Sequence, residues 1–376
     1  MKKRQLGTES AISVLGFGCM RLPLTSENPS DIDRVKSFEM FDAAIEGGVN
    51  YFDTAYPYHG GASEKLVGDY FQQRSREGIS IATKLPVWLV NAPEDLERLF
   101  QEQLDRLQQP YVDYYLLHAL NAKSWQQAKD NGALAFLDQL KAQGRIRYAG
   151  FSYHDAYEHF EEIVDAYKWD FCQVQLNYLD TEHQAGLKGM RYAKARGIDI
   201  VIMEPLRGGS LAGKAPEEVE LLWGEQSAAT WAFNYLYDMP EVSVLLSGMS
   251  TMDQVLENIA IAKKSQVNML SSEERAVIAQ VANLYQSRKQ NDCTECGYCM
   301  PCPLGVNIPR AFKLFNLAYR FNRVDEYSTY YQNSPAGTAA DTCIACGVCE
   351  PKCPQNIPII EDLKAVHRVL AQQAKR

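Results

Sequence analysis

Along this chain, short runs of apolar residues alternate with longer segments in which apolar positions recur every three or four residues. The runs are Val14–Gly18, Asn50–Ala55, Ser80–Lys84, Val112–Ala119, Ile146–Tyr153, Phe171–Leu179, Asp199–Leu206 and Val242–Met249. Most are apolar nearly throughout, as strands buried on both faces are. Segments between them, such as Asp31–Gly48, Pro93–Gln108 and Met252–Lys263, carry helical periodicity. Pro93 opens one of these helices and Gly47-Gly48 closes another. Strand and helix in alternation predict a parallel sheet with crossover helices, and eight strands predict closure into a (β/α)8 TIM barrel. The polar stretch Met1–Ile12, with a turn at Gly7-Thr8, is expected to form a hairpin plugging the barrel floor. A helix over Ser272–Ser287 is expected to seal the barrel. Further on, Ile308–Phe321 reads as an amphipathic helix with Phe312, Phe315 and Tyr319 along one face.

The length of 376 residues exceeds one barrel of about 250 residues and leaves room for a small second domain. The expected division is a barrel over residues 1–290 and a mainly helical domain over 291–376. A formal net charge of −9 argues against a nucleic-acid surface, which needs a basic patch. No stretch approaches 18 uninterrupted apolar residues, so no membrane span is expected. The chain opens on Met-Lys-Lys-Arg and a polar stretch rather than a signal peptide, which predicts a cytoplasmic protein.

The cysteines change the picture most. Eight of the ten lie in two short runs, Cys293, Cys296, Cys299 and Cys302-Pro303, then Cys343, Cys346, Cys349 and Cys353-Pro354. Three thiolates at two-residue intervals with a fourth cysteine beside a proline is the ligand pattern of two-cluster ferredoxins, in which the fourth thiolate serves the other cluster. The second run matches that spacing, and the first has one residue fewer before its last cysteine. Crossed ligation would give one [4Fe–4S] cluster Cys293, Cys296, Cys299 and Cys353, and the other Cys343, Cys346, Cys349 and Cys302. Disulfides fit poorly with a large intracellular chain. Zinc is the better rival, although structural zinc sites usually pair two Cys-x2-Cys halves across a longer gap. Cys19 and Cys172 stand outside both runs. Cys19, which follows Gly18 at the end of the first strand, reads as a small buried hydrophobe.

Catalytic residues of a (β/α)8 barrel come from the C-terminal ends of different strands. Here one strand runs into Asp53 with Tyr58 five residues on, the next ends in Lys84, and the next in His118. Each alone has an ordinary explanation as a cap, a solvated strand end or a core histidine, but together on successive strands they mark a site. Through Phe52-Asp53-Thr54-Ala55-x2-Tyr58, Ala82-Thr83-Lys84 and Tyr115-Leu116-Leu117-His118, the chain from about Lys3 to Lys264 resembles the aldo-keto reductase family. The resemblance implies a nicotinamide-dependent enzyme that interconverts a small-molecule carbonyl compound and an alcohol. Tyr58 would then be the general acid, Lys84 paired with Asp53 would lower its pKa, and His118 would orient the carbonyl and bond the developing oxyanion.

The same resemblance implies cofactor contacts at Gly18, Met20, Ser152, Gln173, Met203, Leu206, Gly208, Gly209, Gly248, Gln254 and Asn258. Two departures from the family pattern matter. Tyr153 stands where Asn is usual beside the carboxamide, and Met203 where a tyrosine often stacks on the ring. Gly248 and Gln254 stand where NADP-preferring members carry a Lys and an Arg, so NAD is as plausible as NADP. From about Asn291 the likeness shifts to α-helical dicluster ferredoxin modules. An electron-transfer partner is one expectation, a structural or regulatory role for the clusters another. The alternative to an enzyme is a ferredoxin-like electron carrier whose barrel serves as a docking platform, for which an intact Asp-Tyr-Lys-His set has no use.

Overall fold

The computed structural model describes residues 1–8 and 11–372. Its contacts divide the chain into two compact units, Met1–Ala212 with Gln226–Arg275, and Gly213–Glu225 with Ala276–Arg376.

The first unit opens with an antiparallel hairpin, β1 (Lys3–Gln5) and β2 (Ala11–Ser13). The eight expected strands follow as β3 (Leu15–Gly18), β4 (Tyr51–Asp53), β5 (Ser80–Leu85), β6 (Val112–Leu120), β7 (Ile146–Tyr153), β8 (Phe171–Gln175), β9 (Asp199–Met203) and β10 (Val242–Gly248). Each pairs in parallel with the next, and β10 returns to β3 from Leu245↔Leu15 to Gly248↔Gly18, closing the barrel. Three runs overshoot by two residues or more: β4 stops at Asp53 rather than Ala55, β8 at Gln175 rather than Leu179, and β9 at Met203 rather than Leu206. Their tails continue as loop into the barrel mouth, because apolar composition marks burial and not pairing.

Helices cover the outside where periodicity places them, among them Arg34–Glu46, Glu94–Leu107 and Met252–Lys264. The Asp33 carboxylate caps the first by accepting the Lys36 N–H, and the Thr251 hydroxyl caps the last by accepting the Gln254 N–H. The hairpin plugs the floor. Leu6 and Ile12 join the inward-facing Tyr51, Tyr114, Tyr148 and Phe171 in one apolar cluster. The polar backbone that this buries is satisfied: Tyr114 donates to Leu6 O at 2.8 Å and Gly7 N–H to Asp199 Oδ2 at 2.8 Å.

The second unit is helical, with helices Ser272–Ser287, Ile308–Arg320, Val324–Gln332 and Ile359–Leu370. Most of the first of these, from Ala276, groups with this unit, as does the short helix Glu217–Trp223. Arg288 makes an ion pair with Glu218 inside it. Its core joins Ile308, Phe312, Phe315, Leu363 and Val366 with Cys299, and five further cysteines pack at the margin. Among the described residues, no helix is long and apolar enough to cross a membrane.

Candidate active site

Strands β4, β5 and β6 bring Asp53, Lys84 and His118 to one rim of the barrel, and the turn after β4 brings Tyr58. Lys84 is fully buried and its ammonium directs three donors at three oxygens: Asp53 Oδ1 at 2.7 Å, Thr54 O at 2.7 Å and Tyr58 Oη at 3.4 Å. The last contact is long for a hydrogen bond, so its main effect is electrostatic. Behind β5 the strand is buttressed by the buried Gln103, which donates to Lys84 O at 3.0 Å and to Glu64 Oε1 at 2.7 Å. Thr83 also donates to Glu64, and Arg106 neutralises it at 3.3 Å.

His118 owes its aim to an irregularity in the β6–β7 pairing, where the register shifts between Leu117 and Leu120. Ala119 takes a left-handed φ of 52° there, and its N–H donates to Ser152 Oγ at 2.7 Å. The His118 ring lies 6.0 Å from Tyr58 and 5.1 Å from Trp88, centroid to centroid. Its Nδ1 is buried and has no protein partner among the described residues. Burial, with the Lys84 charge second, pushes the His118 pKa well down, so the ring is neutral at physiological pH.

The tyrosine departs from expectation. Burial raises the Tyr58 pKa, and the opposing pull of Lys84 is the smaller effect, so the phenol holds its proton beyond the ordinary tyrosine range instead of giving it up earlier. Burial is the largest single influence on Lys84 and works against its charge, but Asp53 and Tyr58 together outweigh it and the ammonium is held more firmly than usual.

A cavity of about 730 Å³ opens onto this rim, within the range of small-molecule and cofactor sites. Asp53, Tyr58 and His118 line it together with Gly18, Met20, Gln173, Met203, Leu206, Gly208, Gly209, Gly248, Gln254 and Asn258. Gln173 donates to the Met203 sulfur at 3.6 Å, while its Oε1, like Gln175 Oε1, is buried without a partner among the described residues. Two buried, unspent carbonyl oxygens on the cavity wall suit an amide-bearing ring. Gly208 and Gly209, both at positive φ, turn backbone toward the same space. Gln254 Oε1 accepts the Ser250 N–H at 2.8 Å and Asn258 donates to Ser247 Oγ at 3.0 Å, so these two side chains brace their loop.

In the second unit, two smaller cavities gather the eight clustered cysteines between them, with Cys299 lining both. One is lined by Cys293, Cys296, Cys299 and Cys353, the other by Cys302, Cys343, Cys346 and Cys349 with Cys299 again at its wall. Around the first stand Ile308, Phe312, Ile357 and Ile359; around the second, Leu304, Val306, Ile344 and Leu363. Among the described residues no three potential ligands converge closely enough to hold a single metal ion. Thiolates spread around a cavity suit a cluster, since each binds a different iron.

Comparison with known proteins agrees with this geometry. Residues 14–281 match the aldo/keto reductase family, and residues 292–357 match the 4Fe-4S dicluster domain. The chain belongs to the aldo/keto reductase family. L-galactose dehydrogenase of Arabidopsis thaliana is 28% identical over 310 residues, covering 75% of this chain and 95% of that protein. NADH-specific methylglyoxal reductase of Escherichia coli is 25% identical over 312 residues, covering 69% and 93%. An aldo-keto reductase from Bacillus halodurans in its holo form superposes with a TM-score of 0.63 at 28% identity, over 74% of this chain and 96% of that one.

Within this aldo/keto reductase barrel, one expected cofactor contact is not brought to the cavity. Ser152 is buried off its lining, with its hydroxyl accepting the Ala119 N–H. Its neighbour Tyr153 is fully buried and donates to Ala156 O, so it offers no substitute. Conversely, Arg21 lines the cavity and was not expected there. Its guanidinium reaches 3.2 Å from where a side chain on Gly208 would begin, and its methylenes lie 3.3 Å from the same point on Gly248. Arg21 therefore lies against both the Gly208 and the Gly248 loops, whereas Arg207 is paired with Asp180 at 2.7 Å. A cation one residue beyond Met20 was the available signal.

Proposed function

We propose that the barrel reduces a carbonyl compound to an alcohol, or runs the reverse reaction, with NADH or NADPH. The observation that carries this is Lys84, saturated by Asp53, Thr54 and Tyr58, holding the phenol at the edge of a cavity that His118 also faces. A bound nicotinamide supplies a hydride to the carbonyl carbon. Gln173, Met203, Leu206, Gly208, Gly209, Gly248 and Arg21 would hold it, by the fit described above.

The protein's part is the proton and the developing charge. Tyr58 gives its proton to the carbonyl oxygen. Its raised pKa keeps the acid loaded at any physiological pH, and the nearby Lys84 charge stabilises the phenolate as the proton leaves. The neutral His118 ring donates a hydrogen bond to the same oxygen, which strengthens as charge builds there. Trp88 flanks that ring and limits its rotation.

The eight clustered cysteines would hold two [4Fe–4S] clusters by crossed ligation, each of which supplies one-electron redox chemistry when bound. The cavity linings support that crossing, with Cys353 joining the first run and Cys302 the second. A hydride carries two electrons and a cluster one, and no residue of the tetrad splits that pair. The reading adopted is a structural or regulatory role, since the core of the second unit is built around these cysteines.

Tyr58→Phe tests the assignment. Turnover with an aldehyde panel should fall about 10²- to 10⁴-fold while nicotinamide affinity, read by fluorescence titration, stays within about twofold. Unchanged turnover removes the tyrosine from the chemistry.

A further inference from the structure

A second cavity, of about 600 Å³, meets the first at the rim and shares Tyr58 and His118 with it. The rest of its wall is mostly apolar: Met20, Leu22, Leu24, Pro29 and Pro57. Met20, Leu24 and the neighbouring Trp88 are 56%, 38% and 43% exposed, a large apolar outlay for one edge of a barrel mouth. Among the described residues no carboxylate lines this cavity, whereas Asp180, Glu204 and Glu257 all line the first.

The wall is a loop, Leu22 to Asp33, held in a narrow hairpin shape. Leu24 pairs with Ile32, Thr25 N–H donates to Asp31 O at 2.8 Å, and Asp33 N–H to Pro23 O at 2.7 Å. What ties it to the catalytic turn is His59, the residue after the proposed acid. His59 Nε2 accepts the Leu22 N–H at 3.1 Å, and its Nδ1 faces Pro29 O at 2.8 Å as donor. One neutral tautomer, with the proton on Nδ1, satisfies both contacts. His59 does this from a left-handed backbone, φ 53°, that ordinary residues rarely adopt. The strained turn aims the ring away from the reacting centre and at the loop.

We infer that this second cavity is the substrate groove, that it takes carbonyl compounds with an apolar body rather than polyhydroxylated ones, and that His59 is the positioning residue that clasps its outer wall. The inference rests on the reductase reading above and extends it to substrate class. Arg21 also borders the groove, but its guanidinium is turned toward Gly208 and the dinucleotide side. Of the remaining polar groups, His59 is engaged with Leu22 and Pro29 and the Ser250 hydroxyl donates to Arg21 O at 2.6 Å, which leaves Tyr58 and His118 to address a carbonyl oxygen. A sugar would leave its remaining hydroxyls against leucine and proline.

The test is steady-state reduction of benzaldehyde and of glyceraldehyde by the full-length, cluster-loaded protein at saturating nicotinamide. The expected kcat/KM favours benzaldehyde by about tenfold or more. His59→Gly removes the clasp without opposing the left-handed backbone. It should raise KM for benzaldehyde by about tenfold, leave its kcat within about twofold, and change neither glyceraldehyde kinetics nor nicotinamide Kd beyond about twofold. Leu24→Asp, at a position 38% exposed, places a charge in the groove without touching the clasp and should depress benzaldehyde turnover selectively. If glyceraldehyde is the better substrate, or if both variants affect the two aldehydes equally, the groove assignment is overturned while the reductase reading stands. Reduction of neither aldehyde, nor of any other carbonyl compound, would remove both.

Discussion

Lys84→Met separates the structural and chemical roles of the buried ion pair. Lys84 Nζ and Asp53 Oδ1 lie 2.7 Å apart with side-chain exposures of 0% and 3%, and Asp53 Oδ2 has no partner among the described residues. Removing the ammonium leaves a carboxylate in a dry site, for which the expected cost is about 3–5 kcal/mol. With a urea slope of about 3 kcal/mol per M, the unfolding midpoint of the barrel should drop by about 1–1.7 M. The loss should depend on pH in a definite direction. Burial already raises the Asp53 pKa above its ordinary 3.8, and without Lys84 it rises further. A group raised in the folded state favours folding below its unfolded pKa and loses that contribution as pH climbs through the folded value. The variant should therefore lie close to the parent in acid and fall progressively behind toward neutral pH. Adding Asp53→Asn removes the stranded charge and should restore about 2–3 kcal/mol, whereas turnover stays low in both variants. Circular dichroism against urea at two pH values, with kcat measured in parallel, reads all of this. A single variant whose midpoint matches the parent at neutral pH refutes the buried pair, and a double variant that regains turnover refutes the chemical role.

Three further outcomes follow from the same geometry. With neutral Gly248 and Gln254 on the cavity wall, NADPH should be preferred over NADH by no more than about tenfold, and Gln254→Arg should raise NADPH affinity alone; a thousandfold parent preference, read by fluorescence titration, would contradict this and point to Arg21 as the cation that takes the extra phosphate. Anaerobically purified protein should carry about eight irons and eight labile sulfides, and Cys353→Ala should perturb the cluster held mainly by the first cysteine run; stoichiometric zinc without visible absorption would sink the assignment. His118 is held neutral by burial below its ordinary pKa of 6.5, so below that pH the unfolded chain takes up a proton that the folded chain refuses, and stability should fall; His118→Gln should flatten that limb of the stability profile.

The barrel and the tetrad were legible because their signals are local. Strands buried on both faces must be apolar along their length, and Asp53, Lys84 and His118 lie at or near the C-terminal ends of their strands with Tyr58 in the turn that follows, so position along the chain maps onto the rim. The ends of β8 and β9 were not legible, since apolar loop and apolar strand look alike in sequence. Neither was the fate of Ser152: that its hydroxyl accepts the Ala119 N–H depends on an irregularity in the strand pairing that no spacing announces. Arg21 was missed because its partner loops come from Gly208 and Gly248, far away in the chain. The direction of the Tyr58 pKa is the clearest case. The neighbouring Lys84 could be read from the motif, whereas the burial that outweighs it is a property of the whole assembled rim.

The hairpin plug makes the barrel a cul-de-sac. Leu6, Ile12 and the tyrosines around them close the lower end, and Lys84 is sealed from solvent behind Tyr58. On the chemistry proposed above, each reduction takes one proton from the phenol, and its replacement has to arrive through the mouth, by the same aperture that substrate and product use. Reprotonation and product departure thus share one gate, and solvent viscosity and buffer strength become probes of the same step.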